Sequence, residues 1–156
     1  MSWCWPSESG SSEPARSVER SAEFVERSFE VVAIGLNERS KFSGEPPKAK
    51  KKYFRPRDVD GVKELSTFSV DGLSDEARWT LLDAQLTKAP IPARSELRKE
   101  AFAAAELQQH PDWEPERHVN IIGWPASEDA IDSAAQVLYA HQSCVRRSES
   151  PAGEQR

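Results

Sequence analysis

The first regular pattern of apolar and polar residues lies between positions 17 and 37. Apolar side chains recur there in steps of three or four, at Val18, Ala22, Val25, Phe29, Val32 and Leu36. This spacing places them on one face of a helix, so residues 17–37 are predicted to form an amphipathic helix. The β-branched residues of the second half favour a sheet instead. The alternative is therefore a helix that ends near Arg27, followed by a strand over residues 29–36.

Three short segments with strand character follow this region. Residues 53–55 end at Pro56, residues 65–70 alternate between apolar and polar, and residues 118–124 give the strongest core signal. Proline lacks the N–H that pairs strands, so Pro56 and Pro125 are expected to end the first and third strands. The third strand is expected to join the same sheet as the others, because no other element would bury its two isoleucines.

Three helices are predicted between and after these strands. Ser74 can cap a helix that continues to about Thr87, a second helix is predicted over residues 95–109, and Ser127 can cap a third. The apolar face of the third helix carries Ile131, Ala134, Ala135 and Leu138. The order of elements predicts an α+β fold, with a small mixed β-sheet of about three strands and helices packed on it.

Composition divides the chain into a folded part and flanking segments. Residues 1–16 and 146–156 are rich in Ser, Glu, Gly and Pro, a composition that buries little apolar surface, so both are predicted to be disordered tails. Residues 38–51 are predicted to be a basic linker rich in Pro and Lys, which leaves residues 52–145 as a small α+β domain. No secretory signal or apolar run of membrane-spanning length is evident, so a cytoplasmic protein without membrane contact is expected.

A run of basic residues is the strongest charge feature. Six of the ten residues from 48 to 57 are basic, although the formal net charge of the chain is −5. Lysine and arginine neutralise phosphates and aromatic rings stack on bases, so a nucleic-acid-binding or nucleic-acid-processing protein is one alternative. The remainder of the chain is acidic and would repel nucleic acid, which favours solvated linker charge. The predicted binding residues are Lys50, Lys51, Lys52, Tyr53, Arg55 and Arg57, together with His118.

No complete set of catalytic residues or metal ligands is evident in the sequence. His110 and His118 flank three carboxylates, but their spacing matches no metal site, and neither a metal nor a cofactor is predicted. The balance favours a protein that is not an enzyme. An enzymatic alternative would combine His118 with a nearby charged residue, namely Arg55, Arg57, Asp58 or Asp60. It requires Arg55 and His118 to lie on adjacent strands and to face one pocket.

Several short motifs resemble a group of short, uncharacterised bacterial proteins. The motifs are Phe54-Arg55-Pro56, then Asp60, Leu65-Ser66 and Phe68, and finally residues 118–123 with Pro125. Proteins of that group share an aromatic-Arg-Pro strand, a Leu-Ser-aromatic strand and a late apolar strand that ends in Gly and Pro. The resemblance covers residues 52–140 and implies a protein of bacterial type with that domain boundary. No activity of the group carries over.

The function expected from the sequence is the binding of another protein. The predicted amphipathic helix would be the docking element, supplemented by residues 53–55, and it would be joined to the domain by the basic linker. The chain is therefore expected to be a small accessory or regulatory protein with a protein partner.

Overall fold

The structure, a computed structural model, describes residues 29–112 and 114–148. The predicted N-terminal tail and the part of the predicted first helix before residue 29 lie outside the described residues. Positions 149–156 of the predicted C-terminal tail lie outside them as well.

The described residues form nine strands and three α-helices. The strands are β1 (Val31–Leu36), β2 (Phe42–Ser43), β3 (Lys48–Ala49), β4 (Arg57–Val59), β5 (Val62–Ser69), β6 (Ala93–Arg98), β7 (Gln108–Pro111), β8 (His118–Ile122) and β9 (Ser143–Arg146). The helices are α1 (Asp75–Gln85), α2 (Lys99–Ala105) and α3 (Glu128–His141). Short 3₁₀ turns cover Arg39–Lys41 and Lys51–Phe54.

Seven of these strands form one sheet, in which every pair is antiparallel. Its order is β7-β8-β5-β1-β6-β9, and β4 pairs with the part of β5 that β1 does not reach. Strands β2 and β3 form a separate small sheet. The fold is α+β, but the predicted small mixed sheet of about three strands is wrong. Strands β6, β7 and β9 contain few apolar residues and no regular alternation, so periodicity does not identify them.

Strand β1 occupies the centre of the large sheet, between β5 and β6. Val32 and Leu36 are buried on one face of it and Ala33 on the other. The predicted helix is therefore wrong for this segment, where the alternative placed a strand. A spacing of four residues fits either structure, because it is close to one helical turn and also a multiple of the two-residue strand period. The β-branched residues of the segment were the better guide.

Two more predicted elements are wrong in type. The predicted helix over residues 95–109 is divided into β6, α2 and β7. Only its alanine-rich middle is helical, because Glu106 adopts a left-handed conformation with φ of 62° and ends α2. The predicted strand over residues 53–55 is the end of the Lys51–Phe54 turn, which inserts Phe54 into the core.

The predicted linker and the start of the predicted C-terminal tail belong to the fold. Residues 38–51 contain β2 and β3, which bury Phe42 and Ala49 in the main core. Arg146 is the last residue of β9, and the Arg147 N–H donates to the Pro92 carbonyl at 2.8 Å. These segments contain few apolar residues. The prediction from composition therefore begins the domain too late, at residue 52, and ends it too early, at residue 145.

The predicted starts of two helices are confirmed. Ser74 Oγ accepts a hydrogen bond from the Ala77 N–H at 3.1 Å at the start of α1, and Ser127 Oγ accepts one from the Ala130 N–H at 3.1 Å at the start of α3. Each bond satisfies an N–H group that has no partner within its own helix.

Helices cover the two faces of the sheet unequally. On one face, α2, α3 and the Lys51–Phe54 turn pack on a core that includes Val32, Leu97, Val119 and Ile121. On the opposite face, α1 packs Trp79 and Leu82 against β1 and the end of β5. None of the buried residues in this second cluster comes from β7 or β8. The part of this face formed by β7, β8 and the first half of β5 is called here the open sheet face.

Helix α1 is held in position by stacked and paired arginines. The guanidinium groups of Arg94 and Arg147 lie 4.4 and 4.6 Å from the Trp79 ring centroid. Arg147 also donates to both carboxylate oxygens of Asp83, at 2.9 and 3.3 Å, and the Ile91 N–H donates to the same carboxylate at 3.0 Å. These contacts tie α1 to β6 and to the end of β9.

The Phe54→Ala variant tests the structural role of the Lys51–Phe54 turn. The ring is fully buried, so its removal leaves a cavity and is expected to lower the free energy of unfolding by about 3–5 kcal/mol. Urea denaturation measures the loss. Val62→Ala is the control, because Val62 is 50% exposed and its truncation is expected to cost about 0.5 kcal/mol. Equal losses in the two variants would contradict the buried position of Phe54.

The Asp83→Asn variant tests the tie between α1 and β9 through its pH dependence. Burial raises the pKa of Asp83, but the hydrogen bonds from Arg147 and the Ile91 N–H outweigh burial, and the net pKa is lowered. A lowered pKa in the folded state stabilises the protein above the unfolded value of about 3.9, and this contribution is lost as the pH falls through the folded pKa. We expect a loss of about 1–3 kcal/mol at pH 7 that shrinks below about pH 4.

Urea denaturation at several pH values measures this profile, with Glu116→Gln as an exposed control. A loss for Asp83→Asn that is the same at every pH would contradict the ionic role of Asp83.

Candidate active site

The pairing of β5 with β8 determines which side chains share the open sheet face. Ser66 lies opposite Asn120, and Phe68 lies opposite His118. Thr67, between Ser66 and Phe68, points into the main core, where its buried hydroxyl donates to the Val119 carbonyl at 2.7 Å. Because side chains alternate along a strand, Ser66 and His118 both point to the opposite face.

The hairpin between β7 and β8 brings a carboxylate to the same place. The Asp112 N–H donates to the His118 carbonyl at 3.1 Å, so the two residues flank the hairpin loop. The Asp112 carboxylate accepts from the Glu114 N–H at 3.1 Å and from Asn120 Nδ2 at 3.2 Å. These two donors orient the carboxylate independently of its contact with His118.

Ser66, His118 and Asp112 form a continuous hydrogen-bonded chain. Ser66 Oγ lies 2.6 Å from His118 Nε2, and His118 Nδ1 lies 2.8 Å from Asp112 Oδ1. An ionised carboxylate only accepts hydrogen bonds, so Nδ1 of a neutral ring carries the proton and Nε2 is free to accept the Ser66 hydroxyl hydrogen. Nucleophile, base and orienting acid thus stand in the order that activates a serine.

The histidine of this chain is sheltered, whereas the serine is accessible. The His118 side chain is 12% exposed and the Asp112 side chain 34%, while Ser66 is exposed. The His118 ring packs at 5.3 Å from the Phe68 ring, at the border of the surface that α1 covers. This packing restricts rotation of the imidazole and leaves the Ser66 hydroxyl open to a ligand.

The backbone of Ser66 has a second feature of chemical interest. The Ser69 N–H donates toward β8 and the Val70 N–H toward β1, so by alternation the Ser66 N–H points to the β1 side of β5. On that side β4 pairs with β5 up to Glu64, and β1 pairs from Phe68 onward. Neither strand pairs with Ser66, which leaves its N–H at a gap between them. An N–H beside a nucleophile can donate to the oxygen anion that forms during acyl transfer.

Two pockets have lining residues on or next to the strands of the open sheet face. One, of about 540 Å³, separates α1 from Glu116 and Arg117, which directly precede His118 in the chain. The other, of about 420 Å³, is lined by His110 and Ile122 together with residues of α2. Ser66 lines neither pocket and lies on the open sheet face.

The structure separates the binding residues that the sequence predicts. Lys51 and Arg55 pair with the Asp132 carboxylate of α3, at 3.1 and 3.2 Å, and Arg55 also pairs with Glu128. The Lys52 ammonium lies 5.3 Å from the centroid of the Tyr53 ring. Lys50 is exposed next to this group. Much of the charge of the basic run is therefore already paired or stacked within the protein.

Arg55 and His118 do not share a pocket. Arg55 contacts α3 on the main-core side of the sheet, whereas His118 points to the open sheet face. The condition that the enzymatic alternative places on these two residues is therefore not met. Arg57 lies opposite Glu64 on β4 and β5, and this register places it on the same face as His118.

Comparisons with known proteins do not assign a function to this site, and neither metal ligands nor membrane-spanning helices are found in the described part of the chain. Comparison with protein-family models, with curated proteins and with solved structures found no match. Among the described residues, no group of three or more His, Cys, Asp or Glu side chains is arranged to hold a metal ion. No described helix is both long and apolar enough to cross a membrane.

The sequence interpretation did not group Ser66 and Asp112 with His118, and for Asp112 the reason is that it missed β7. The signal was present, since His110 and Asp112 precede a loop with a proline and His118 follows it at the start of a strand. Recognition of residues 108–111 as a strand would have predicted a hairpin, with Asp112 and His118 facing each other at its end.

The tautomer of His118 tests the hydrogen-bonded chain directly. In the neutral ring, which forms at alkaline pH, the proton is expected on Nδ1, because Asp112 accepts from that atom. Nitrogen chemical shifts of ¹⁵N-labelled protein distinguish the tautomers. Asp112→Ala removes the acceptor and is expected to yield a mixture of tautomers, whereas the loop control Glu116→Ala is expected to retain the Nδ1 form. The same mixture in all three proteins would contradict the chain.

Proposed function

We propose that the protein is a hydrolase that cleaves an ester, thioester or amide, with Ser66 as the nucleophile. The observation that carries the proposal is the chain of 2.6 and 2.8 Å contacts from an exposed serine through His118 to Asp112. A hydroxyl is a weak nucleophile at neutral pH and needs a base within hydrogen-bonding distance. His118 is placed to be that base.

The reaction would proceed in two steps. Ser66 Oγ attacks the carbonyl carbon of the substrate while His118 Nε2 takes the hydroxyl proton. The bond to the leaving group then breaks, His118 gives the proton to that group, and an acyl ester remains on Ser66. Water, deprotonated by His118, then attacks this ester. The bond to Ser66 Oγ breaks, His118 returns the proton to that oxygen, and the acid is released.

Asp112 and the backbone would stabilise the charges that form. The Asp112 carboxylate faces Nδ1 and stabilises the imidazolium that exists while His118 holds the proton. The Ser66 N–H, at the gap between β4 and β1, would donate to the oxygen anion of the tetrahedral intermediate.

The protein-binding and nucleic-acid-binding hypotheses have less support. The predicted docking helix would have used Val32 and Leu36, which are buried in the sheet. Phosphate binding would have used Lys51 and Arg55, which pair with carboxylates of α3. Both hypotheses remain untested predictions.

A fluorophosphonate probe tests whether Ser66 is activated. Ser66 Oγ is expected to displace the fluoride, and mass spectrometry of peptides then locates the added phosphonate. Ser66→Ala is expected to abolish labelling, and His118→Ala is expected to slow it by about 10²–10⁴-fold, the usual contribution of a general base. Ser133→Ala is the matched control, because Ser133 is exposed on α3.

Labelling of wild-type protein at Ser66 and its retention in Ser133→Ala would support the proposal. Wild-type protein that is folded but not labelled at Ser66 would overturn it. Hydrolysis of p-nitrophenyl acetate gives an independent measurement, and the rate in Ser66→Ala is expected to fall to that of the control without protein.

A further inference from the structure

The strand registers arrange the open sheet face into rows of side chains. Ser66 lies in a row with Asn120 on β8 and His110 on β7. The next row toward the β4–β5 turn contains Glu64, with Arg57 directly opposite it on β4. Ser66 is therefore diagonal to Arg57 across this pair of strands.

Arg57 is within reach of a substrate bound at Ser66. Diagonal neighbours in an antiparallel pair have Cβ atoms about 7–8 Å apart, a distance that a long side chain spans. β4 also borders the gap toward which the Ser66 N–H points. A substrate whose carbonyl oxygen occupies that gap would place its adjoining atoms beside Arg57.

Arg57 differs from the neighbouring cations in its surroundings. It is exposed, and no carboxylate within the described residues lies within ion-pairing distance of it. Arg55 is paired with α3, and Lys63 pairs with Asp58 at 3.1 Å on the other side of the strand pair. Arg57 is thus the cation of this segment that remains available on the face of Ser66.

We propose that Arg57 binds an anionic oxygen group of the substrate, a carboxylate or a phosphate, and so selects anionic acyl compounds. This inference rests on the proposed hydrolase function. The planar guanidinium group can donate two parallel hydrogen bonds to either anion, which fixes the direction as well as the distance of the bound group. Arg57 is a binding residue in this scheme and takes no part in proton transfer.

The negative charge of Glu64 allows a second variant whose expected effect is opposite to that of Arg57→Gln. Its carboxylate is opposite Arg57 and on the same face, so it repels an anion that approaches the guanidinium group. Neutralising Arg57 is therefore expected to weaken anion binding, whereas neutralising Glu64 is expected to strengthen it. General loss of structure would not produce opposite effects from two neighbouring residues.

Binding is measured first in the Ser66→Ala background, which separates it from catalysis. Glutarate and inorganic phosphate are titrated separately while backbone amide chemical shifts around Arg57 are followed by NMR, and the tighter of the two identifies the anion. Adding Arg57→Gln is expected to weaken binding roughly tenfold, and adding Glu64→Gln to tighten it about threefold. Lys50→Gln is the matched control, because Lys50 is exposed and directly precedes the Lys51–Phe54 turn, which packs on the opposite face of the sheet.

Kinetics with unmodified Ser66 supply the second measurement. Wild-type protein is expected to have a lower KM for the singly charged p-nitrophenyl succinate than for neutral p-nitrophenyl acetate. Arg57→Gln is expected to raise the KM of the charged ester about tenfold while kcat and the neutral ester change little, since the group binds but does not react.

The outcomes distinguish this inference from the function on which it rests. Labelled Ser66 together with unchanged anion affinity in Arg57→Gln would overturn the role of Arg57 and leave the hydrolase intact. Anion binding that depends on Arg57, in a protein whose Ser66 is never labelled, would overturn the hydrolase and retain the anion site. No detectable binding of either anion to the Ser66→Ala protein would overturn the role of Arg57.

Discussion

The candidate site depends on the register between β5 and β8. In this register the Thr67 hydroxyl donates to the Val119 carbonyl inside the core, and Leu65 and Ile121 are buried beside it. A shift of β5 by one residue would turn Leu65 and Thr67 outward and bury Ser66. The same hydrophobic burial that stabilises the sheet therefore holds the serine and His118 on the open face. The site needs no flexible loop to bring its two central residues together.

The position of α1 decides how much of that face stays open. Gly35 on β1 has no side chain, and a Cβ built there would lie 2.1 Å from Leu86 Cδ1, just after α1. The close approach of Leu86 holds the end of α1 over β1, and the stacked arginines hold its middle over β6. The helix ends its coverage at Phe68, whose ring supports His118. The position of α1 on one half of the face therefore places Phe68 beside His118 and leaves the other half exposed.

The sequence predicted those elements whose local signals agree with their burial. The N-caps Ser74 and Ser127, and the strands that became β5 and β8, are of this kind. Strand β6 is different, because Arg94 is almost fully buried beneath Trp79 and polar residues occupy a face that patterning expects to be apolar. Pairing between distant strands also leaves no local trace. The chain of side chains at the site arises from two pairings, of β5 with β8 and of β7 with β8, and the first joins two residues 52 positions apart that no local signal links.

A serine in the middle of a regular strand is normally closed in by hydrogen bonds on both edges. Here the lower part of one edge of β5 belongs to β4 and the upper part to β1, and Ser66 lies between the two. In the proposed mechanism, this interruption would let the Ser66 N–H donate to a substrate while the strand keeps the serine rigid and accessible. Rigid placement matters because acyl transfer requires the base, the nucleophile and the anion donor to be in position before the substrate arrives. The divided pairing of β5 would therefore supply the anion donor that the proposed hydrolysis requires.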